Sequence, residues 1–277
     1  GLNPGLFEMA NIRDHCSWVL QAQHDRATDK SMDLVRMAVR KASFLEPIHS
    51  QKMGVTKAAL VVGGGVAGMT AALALAEKNV PVTLLEKEAE LGGMLRETKY
   101  TIHGGDVQAM VRRTVEKVEA NPLIRVKTKA KIEAIAGFVG NFETTIANGA
   151  GLEKVKHGVV IVATGALEKK PVEYNYGSSE KIVTQRHLET RLAAGDVADL
   201  NTVVMIQCVG SREDDRPYCS RVCCQEAVKN AIKLKELKPD ARVFVLYRDM
   251  RTYGYFEEYY SKARDMGVLF VRFEKEA

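Results

Sequence analysis

The sequence lacks the features that mark several large classes of protein. It has no long block of lysine or arginine, although these residues exceed aspartate and glutamate by five, so its charge does not indicate nucleic-acid binding. The chain does not open with the basic and then apolar segments of a secretory signal peptide. Apolar residues make up 46% of the sequence and charged residues 27%, which excludes a disordered or low-complexity chain.

Long hydrophobic runs are also scarce. The longest uncharged stretch, Ala58 to Ala76, is interrupted by Gly63, Gly64, Gly65 and Gly68. A buried strand followed by a buried helix explains this stretch better than a transmembrane helix does. We therefore expect no membrane span.

Cysteine is sparse over most of the chain and concentrated in one place. Four of the five cysteines lie close together near the carboxyl end: the full set is Cys16, Cys208, Cys219, Cys223 and Cys224. An odd and uneven set does not indicate a secreted disulfide framework. Thiol or metal chemistry in a reducing compartment fits better.

Hydrophobic periodicity predicts an α/β chain of three parts, at 1–53, 54–176 and 177–277. The first part contains a helix over 28–45, capped by Thr28 or Asp29 and stopped by Pro47. The second part is predicted to contain strands 58–62, 81–85 and 159–162, helices 66–78 and 106–120, and a meander of strands 123–128, 131–138 and 141–147. The third part is predicted to contain helices 185–194, 219–237 and 255–266 and strands 203–206, 243–247 and 268–273.

A dinucleotide-binding motif lies between the strand 58–62 and the helix 66–78. Gly63, Gly65 and Gly68 have the spacing GxGxxG, which suits a tight turn, a close approach to a pyrophosphate and close helix–strand packing. Glu86 stands at the end of the next strand, where a carboxylate can accept hydrogen bonds from ribose hydroxyls. Both FAD and NAD use such a cradle.

Two further features favour FAD over NAD. A glycine pair, Gly92-Gly93, comes shortly after Glu86, and the strand 159–162 ends in Ala163-Thr164-Gly165. Both resemble signatures of flavoproteins with two dinucleotide-binding domains, the class that includes thioredoxin reductase. The predicted fold is therefore a Rossmann-like FAD-binding domain of thioredoxin-reductase-like type with a second Rossmann-like unit.

The second unit lacks the glycine-rich turn that would bind NAD(P)H. Only Gly210 follows its first strand, so we predict that it does not bind NAD(P)H. The cysteines occupy this place instead, and Cys219 and Cys223 would share a face of a helix. Four thiolates here favour a [4Fe–4S] cluster. A zinc site and a redox dithiol remain open alternatives.

Three arginines, Arg212, Arg216 and Arg221, are interspersed with these cysteines. As cationic neighbours they would favour thiolate ligands and raise the reduction potential of a cluster. The alternative is a solvated loop in which Glu213, Asp214 and Asp215 offset their charge.

Four segments resemble the A-type subunit of heterodisulfide reductase. They are 206–212 (IQCVGSR), 216–224 (RPYCSRVCC), 246–254 (LYRDMRTYG) and 11–19 (NIRDHCSWV). The resemblance covers nearly the whole chain. It implies a cytoplasmic FAD and iron–sulfur oxidoreductase of methanogenesis that bifurcates electron pairs. The implied partners are B-type and C-type subunits, ferredoxin and a hydrogenase or formate dehydrogenase as donor, and a homodimer is an assembly that it allows.

The resemblance also implies the site residues. Those that would ligate a [4Fe–4S] cluster are Cys208, Cys219, Cys223 and Cys224. Those that would hold FAD are Gly63, Gly65, Ala67, Gly68, Glu86, Lys87, Gly92, Gly93, Ala163, Thr164 and Gly165. The ferredoxin-like Cys-x2-Cys-x2-Cys-x3-Cys sequences and the segment that completes the flavin domain are absent from this sequence. We therefore expect an internal part of a longer chain, or a short chain that needs partners.

Three other functions remain as alternatives. They are an NAD(P)H-dependent flavoprotein disulfide reductase, a quinone-interacting oxidoreductase subunit, and a non-catalytic module braced by zinc. Outside the cysteine segment we expect Cys16 to be a buried free thiol and Trp18 to be a packing anchor. His103 is expected in a surface loop.

Overall fold

A computed structural model describes residues 1–49, 52–149 and 151–274. The chain forms two compact units, Gly1–Gly54 and Val55–Ala277. The first unit contains helix α1, His24–Ala42, preceded by short helical turns at Pro4–Leu6 and Arg13–Ser17.

The predicted bounds of α1 were wrong at both ends. The helix begins about one turn before Thr28, whose hydroxyl donates to the carbonyl of His24 inside the helix instead of capping it. It ends at Ala42, before Pro47, because Ser43 and the next residues bond back in tighter turns. The prediction for Trp18 was also wrong, since its side chain is 54% exposed and lies under the guanidinium of Arg13.

The second unit contains a four-stranded parallel sheet in the order β3-β2-β1-β7. Its strands are β1 Ala59–Val62, β2 Val82–Leu85, β3 Ile124–Lys127 and β7 Val159–Val162. Helices α2, Val66–Glu77, and α3, Val107–Glu119, connect the first three strands. Strands β1 and β2 are buried along almost their whole length because both faces are covered. Residues of the resulting core include Ala59, Val61, Met69, Ala72, Val82 and Leu84.

Two strand predictions in this region are corrected. The pattern assigned β3 to a meander, but α3 returns the chain to the amino edge of the sheet, so β3 pairs in parallel with β2. The meander consists of β4 Lys131–Phe138, β5 Asn141–Asn148 and β6 Gly151–His157, the last of which was not predicted. β7 is only half-buried, because it lies at the edge of its sheet.

Close packing of α2 on β1 depends on Gly68. A Cβ atom at this position would overlap the carbonyl oxygen of Gly63, a backbone atom that cannot move away without distorting the turn. We expect Gly68→Ala to lower the free energy of unfolding by about 1–3 kcal/mol, the usual cost of overpacking. Urea unfolding measures this change, with Gly149→Ala as a control, since a Cβ atom at Gly149 meets nothing within 4 Å. Wild-type stability of Gly68→Ala would contradict this packing.

A second parallel sheet, in the order β10-β9-β8, follows in the same unit. Its strands are β8 Thr202–Ile206, β9 Arg242–Tyr247 and β10 Leu269–Arg272, connected by helices α5 Cys223–Leu237 and α6 Glu257–Asp265. Helix α4, Gln185–Ala193, packs against α5. The core of this region includes Leu188, Leu192, Val228, Ala231, Val243 and Val245.

The helix predicted over 219–237 is shorter than expected. It begins at Cys223, so residues 219–222 belong to the loop that leaves β8. The prediction that Cys219 and Cys223 share a helical face was therefore wrong. Among the residues that the structure describes, no helix combines the length and the apolar character needed to cross a membrane.

Candidate functional site

The glycine-rich turn lies at the carboxyl end of β1, between β2 and β7. Gly63 has φ +109°, a backbone conformation that favours glycine, and a Cβ atom there would overlap the carbonyl of Ala163. Three strand ends therefore meet at one edge of the sheet. Ligands of open parallel sheets bind at this edge, beside the point where strand order reverses.

Space is open in front of the turn. A Cβ atom added to Gly65 or to Gly165 would meet no other atom within 4 Å. Gly65 also caps the amino end of α2, where unpaired backbone N–H groups and the helix dipole favour an anion. The arrangement can bind a pyrophosphate.

The glycine pair reaches the same place. Gly92 has φ +112° and its N–H donates to the carbonyl of Gly64 at 2.8 Å. A Cβ atom on Gly93 would lie 3.1 Å from the Cα of Gly65. The pair therefore packs on the turn although β2 and α2 separate the two in the chain.

Glu86 is buried beside the turn, with 6% of its surface exposed. One carboxylate oxygen accepts from the N–H of Gly64 at 2.8 Å, and the other from the N–H of Glu88 at 2.9 Å. The carboxylate thus holds the turn in place. The position of Glu86 in the sequence relative to the glycine motif did not reveal this role. Each oxygen keeps a second lone pair for another donor.

The remaining predicted cradle residues are exposed to solvent. Ala67 is exposed in the first turn of α2, and Thr164 is exposed in the segment after β7. Lys87 is largely exposed and its ammonium group lies 3.7 Å from the carboxylate of Glu88.

Three of the four clustered cysteines converge at the carboxyl end of β8. Cys208 follows the strand, and Cys223 and Cys224 form the start of α5. The neighbouring thiols of Cys208 and Cys224 stabilise the thiolate of Cys223 and lower its pKa to about 2. The Cys224 thiol donates to the carbonyl of Asp249 at 3.7 Å. Sharing of this one thiolate, together with burial, raises the pKa values of Cys208 and Cys224.

Cys219 makes a different contact from these three cysteines. Its sulfur accepts from the N–H of Arg221 at 3.3 Å, within the loop before α5. Over the described ranges, no group of three or more His, Cys, Asp or Glu side chains is arranged as a metal site.

The three arginines of the cysteine segment differ in what they contact. Arg212 contacts the Cys208 sulfur and pairs with Asp249 at 2.7 Å. Arg221 points its side chain to Tyr253, and Arg216 bonds to Glu213 through its backbone. Glu213 pairs with Arg248, and the acidic partner of Arg212 is Asp249.

Several buried N–H donors near the cysteines have no partner among the described residues. They are Nε2 of Gln207, Nη1 of Arg212 and Nε of Arg248. Gln207 is only 2% exposed. It lies with Cys208, Gly210 and Arg248 along a cleft of about 540 Å³ at the ends of β8 and β9. Such donors call for an acceptor that a bound group would supply.

A buried ionic network joins α4, α5 and the segment after the glycine pair. Lys229 lies 3.0 Å from Glu189 and 3.1 Å from Glu226, and it donates to the carbonyl of Tyr100 at 3.3 Å. Glu189 also accepts from the N–H of Lys99 at 2.7 Å. Sequence reasoning missed this network, because only the helical spacing of Glu226 and Lys229 is visible in the chain.

Two other predicted residues are located by the structure. Cys16 is fully buried and free. His103 lies in an exposed loop, where its Nδ1 is 2.5 Å from the hydroxyl of Tyr259. Both predictions are confirmed.

A family model described as an NAD(P)-binding Rossmann-like domain matches residues 61–116, which confirms the Rossmann-like prediction for this part of the chain. The A-type iron-sulfur subunit 2 of the CoB–CoM heterodisulfide reductase of Methanopyrus kandleri is 31% identical over 367 aligned positions, covering 98% of this chain and 56% of the relative. The A-type subunit of the H₂:CoB-CoM heterodisulfide,ferredoxin reductase of Methanothermobacter marburgensis gives the same identity and coverage. The chain thus spans about half the length of these relatives.

The alignment is longer than this chain, so the matched region of the relatives contains segments that this chain lacks. Among solved structures, the thioredoxin reductase of T. acidophilum is 15% identical to this chain, with a TM-score of 0.49. The match covers 77% of this chain and 63% of the thioredoxin reductase. The thioredoxin reductase of Lactococcus lactis is 16% identical with the same TM-score, covering 79% and 67%.

Proposed function

We propose that this chain, which is similar to the A-type subunit of heterodisulfide reductase over 98% of its length, is an electron-transfer subunit with FAD and a [4Fe–4S] cluster. The observation that carries the proposal is the convergence of Cys208, Cys223 and Cys224 at the place where a second nucleotide-binding turn would lie. The relatives are named reductases, which supports an oxidoreductase activity.

The residues of the cradle fit FAD. The open space before Gly65 and Gly165 suits the pyrophosphate, and the free lone pairs of Glu86 suit ribose hydroxyls. The residues proposed to hold FAD are Gly63, Gly65, Ala67, Gly68, Glu86, Lys87, Gly92, Gly93, Ala163, Thr164 and Gly165. When bound, the flavin would supply the exchange of electron pairs and single electrons. The glycine turn and the amino end of α2 would position its pyrophosphate.

The cysteine segment fits a cluster in the chemistry of its donors. Thiolates are the soft ligands that iron–sulfur clusters use, and the unpartnered N–H donors of Gln207 and Arg212 suit its sulfur atoms. Cys208, Cys223 and Cys224 would be ligands, and Cys219 would be the fourth. Because Cys219 lies in the loop before α5, its contribution requires this loop to adjust.

We infer that the second parallel sheet, β8 to β10 with its helices α5 and α6, does not take NAD(P)H. The turn after β8 contains Gly210 alone and lacks the GxGxxG spacing that lets a pyrophosphate approach the backbone. Carboxylates at 173, 213, 214 and 215 also line the adjoining cleft and would repel phosphate.

Partners and electron flow are inferred from the relatives' names. Those names mention H₂, formate, ferredoxin and CoB-CoM heterodisulfide. We infer that this chain works in the cytoplasm with B-type and C-type subunits and a hydrogenase or formate dehydrogenase. In this proposal it divides electron pairs between ferredoxin and a disulfide-reducing partner.

Anaerobic purification tests the proposal. We expect flavin absorbance at about 450 nm with a broad iron–sulfur shoulder and about four iron atoms per chain. Colourless protein that contains zinc would contradict it and would support a module braced by metal.

Cys223→Ser is expected to remove most of the iron while flavin remains bound, because the central thiolate is lost but the cradle is not touched. Iron analysis of the purified variant measures its iron content, and its absorption spectrum measures the bound flavin. Cys16→Ser is the matched control, since Cys16 is buried in the other unit, and it should keep both cofactors. Full iron content in Cys223→Ser would exclude Cys223 as a ligand.

A second candidate is an NAD(P)H-dependent disulfide reductase. The adjacent cysteines at the start of α5 favour it, since a Cys223 thiolate beside the Cys224 thiol could attack a disulfide. Rapid reduction of the flavin by NADPH or NADH would support this candidate and contradict the first.

A further inference from the structure

Arg212 is held against the cysteine site by an acid from the segment after the next strand. Its guanidinium pairs with Asp249 at 2.7 Å and contacts the sulfur of Cys208. Its Nη1 is buried and has no partner among the described residues. One nitrogen of this guanidinium is therefore available to a further acceptor beside Cys208.

The backbone of Arg212 is fixed as firmly as its side chain. Its φ is +62°, and its N–H donates to the carbonyl of Tyr218 at 3.1 Å. Its own carbonyl accepts from Arg248 at 2.8 Å. The position of the charge thus depends on two other parts of the chain, at Tyr218 and at Arg248-Asp249.

The neighbouring arginines do not have this arrangement. Arg221 is exposed and its side chain bonds to Tyr253. Arg248 uses two of its nitrogens on Glu213 and on the carbonyl of Arg212. Within the described residues of this loop, Arg212 alone combines a sulfur contact, an acidic anchor and a buried free donor.

We propose that Arg212 is a positioning residue that raises the reduction potential of the cluster held by the cysteine segment. The proposal rests on the function proposed above. A fixed positive charge stabilises the reduced cluster, which carries one more negative charge than the oxidised one. An N–H donor to a ligand sulfur acts in the same direction.

A redox titration of the iron-loaded protein, followed by electron paramagnetic resonance, tests this proposal. Arg212→Met is expected to lower the equilibrium constant for cluster reduction about tenfold. For a one-electron couple this corresponds to a reduction potential lower by about 59 mV. Arg212→Lys should lower it less, since the charge remains but the planar fork is lost. Arg216→Met is the control from the same loop and should leave the potential unchanged.

An iron-loaded Arg212→Met with the wild-type potential would overturn the proposal. If this variant fails to bind iron, Arg212→Gln is measured instead, because it keeps an N–H donor without the charge. A lowered potential then supports the proposal, and an unchanged potential overturns it. Absence of iron from the wild-type protein is a different result, which contradicts the proposed function itself.

Discussion

Replacing Lys229 with methionine is expected to lower the free energy of unfolding by about 3–5 kcal/mol, the usual cost of leaving a buried charge without its partner. Lys229 is 7% exposed and Glu189 is 1% exposed. Without the ammonium group, the carboxylate of Glu189 keeps its backbone donors at Lys99 and Tyr100 and its side-chain hydrogen bond with Glu226.

This loss is expected to reach beyond one ion pair, because Lys229 joins three segments. Its ammonium group also contacts Glu226 and the carbonyl of Tyr100, and lies 4.9 Å from the Tyr100 ring. Tyr100 follows the glycine pair in the chain, and its hydroxyl donates to the buried Asn230 at 2.9 Å. The network therefore ties the helix that begins with Cys223 to the segment that continues from the cradle.

Urea unfolding of the full chain measures the effect. Lys233→Met is the matched control, because Lys233 lies one turn further along α5, where its ammonium group is 6.0 Å from the Tyr100 ring. We expect its cost to stay within about 0.5 kcal/mol. The double variant Glu189→Gln with Lys229→Met should recover part of the loss, since it removes the charge of the more deeply buried of the two carboxylates. Equal stabilities of Lys229→Met and the control would show that the network does not stabilise the fold.

Replacing Gly65 with valine is expected to weaken FAD binding by about a hundredfold or more, a loss of roughly 2.7 kcal/mol in binding free energy. The added side chain meets no protein atom at its Cβ, so it fills the space in front of the turn. That space is where the pyrophosphate would make its closest approach to the backbone.

The fold itself should tolerate this substitution. Gly65 has φ −74°, which any residue adopts, and the loss of a favourable helix cap costs about 1 kcal/mol. Gly149→Val is the control, because a Cβ atom at Gly149 also meets nothing within 4 Å and Gly149 follows β5, outside the cradle. A titration of flavin fluorescence measures the affinity of each variant. If stable Gly65→Val bound FAD as tightly as the control does, the cradle would not be the FAD site.

The cradle was largely predictable because its signals are local. The spacing of Gly63, Gly65 and Gly68 depends on one strand, one turn and one helix, and all three formed where the pattern predicted them. The position of Gly92 beside Gly64 is a longer-range contact, and it agrees with the resemblance of the glycine pair to flavoprotein signatures.

The cysteine segment was predictable in composition but not in arrangement. Helical spacing suggested that Cys219 and Cys223 lie on one face, yet the helix begins only at Cys223. The long loop between β8 and α5 has no periodicity that could decide which residues are helical. Its path depends on contacts with Asp249 and Arg248, which follow β9.

By itself the sequence determined the two parallel α/β units, the glycine turn and the four-cysteine segment, because short-range periodicity, glycine spacing and residue type encode them. The tertiary structure decided which arginine reaches a sulfur, which three cysteines meet, and that Lys229 is buried between Glu189 and Glu226. These outcomes depend on residues from different strands and helices. Side-chain contacts of this kind depend on how the helices and strands pack, and the local sequence pattern around each residue does not specify that packing.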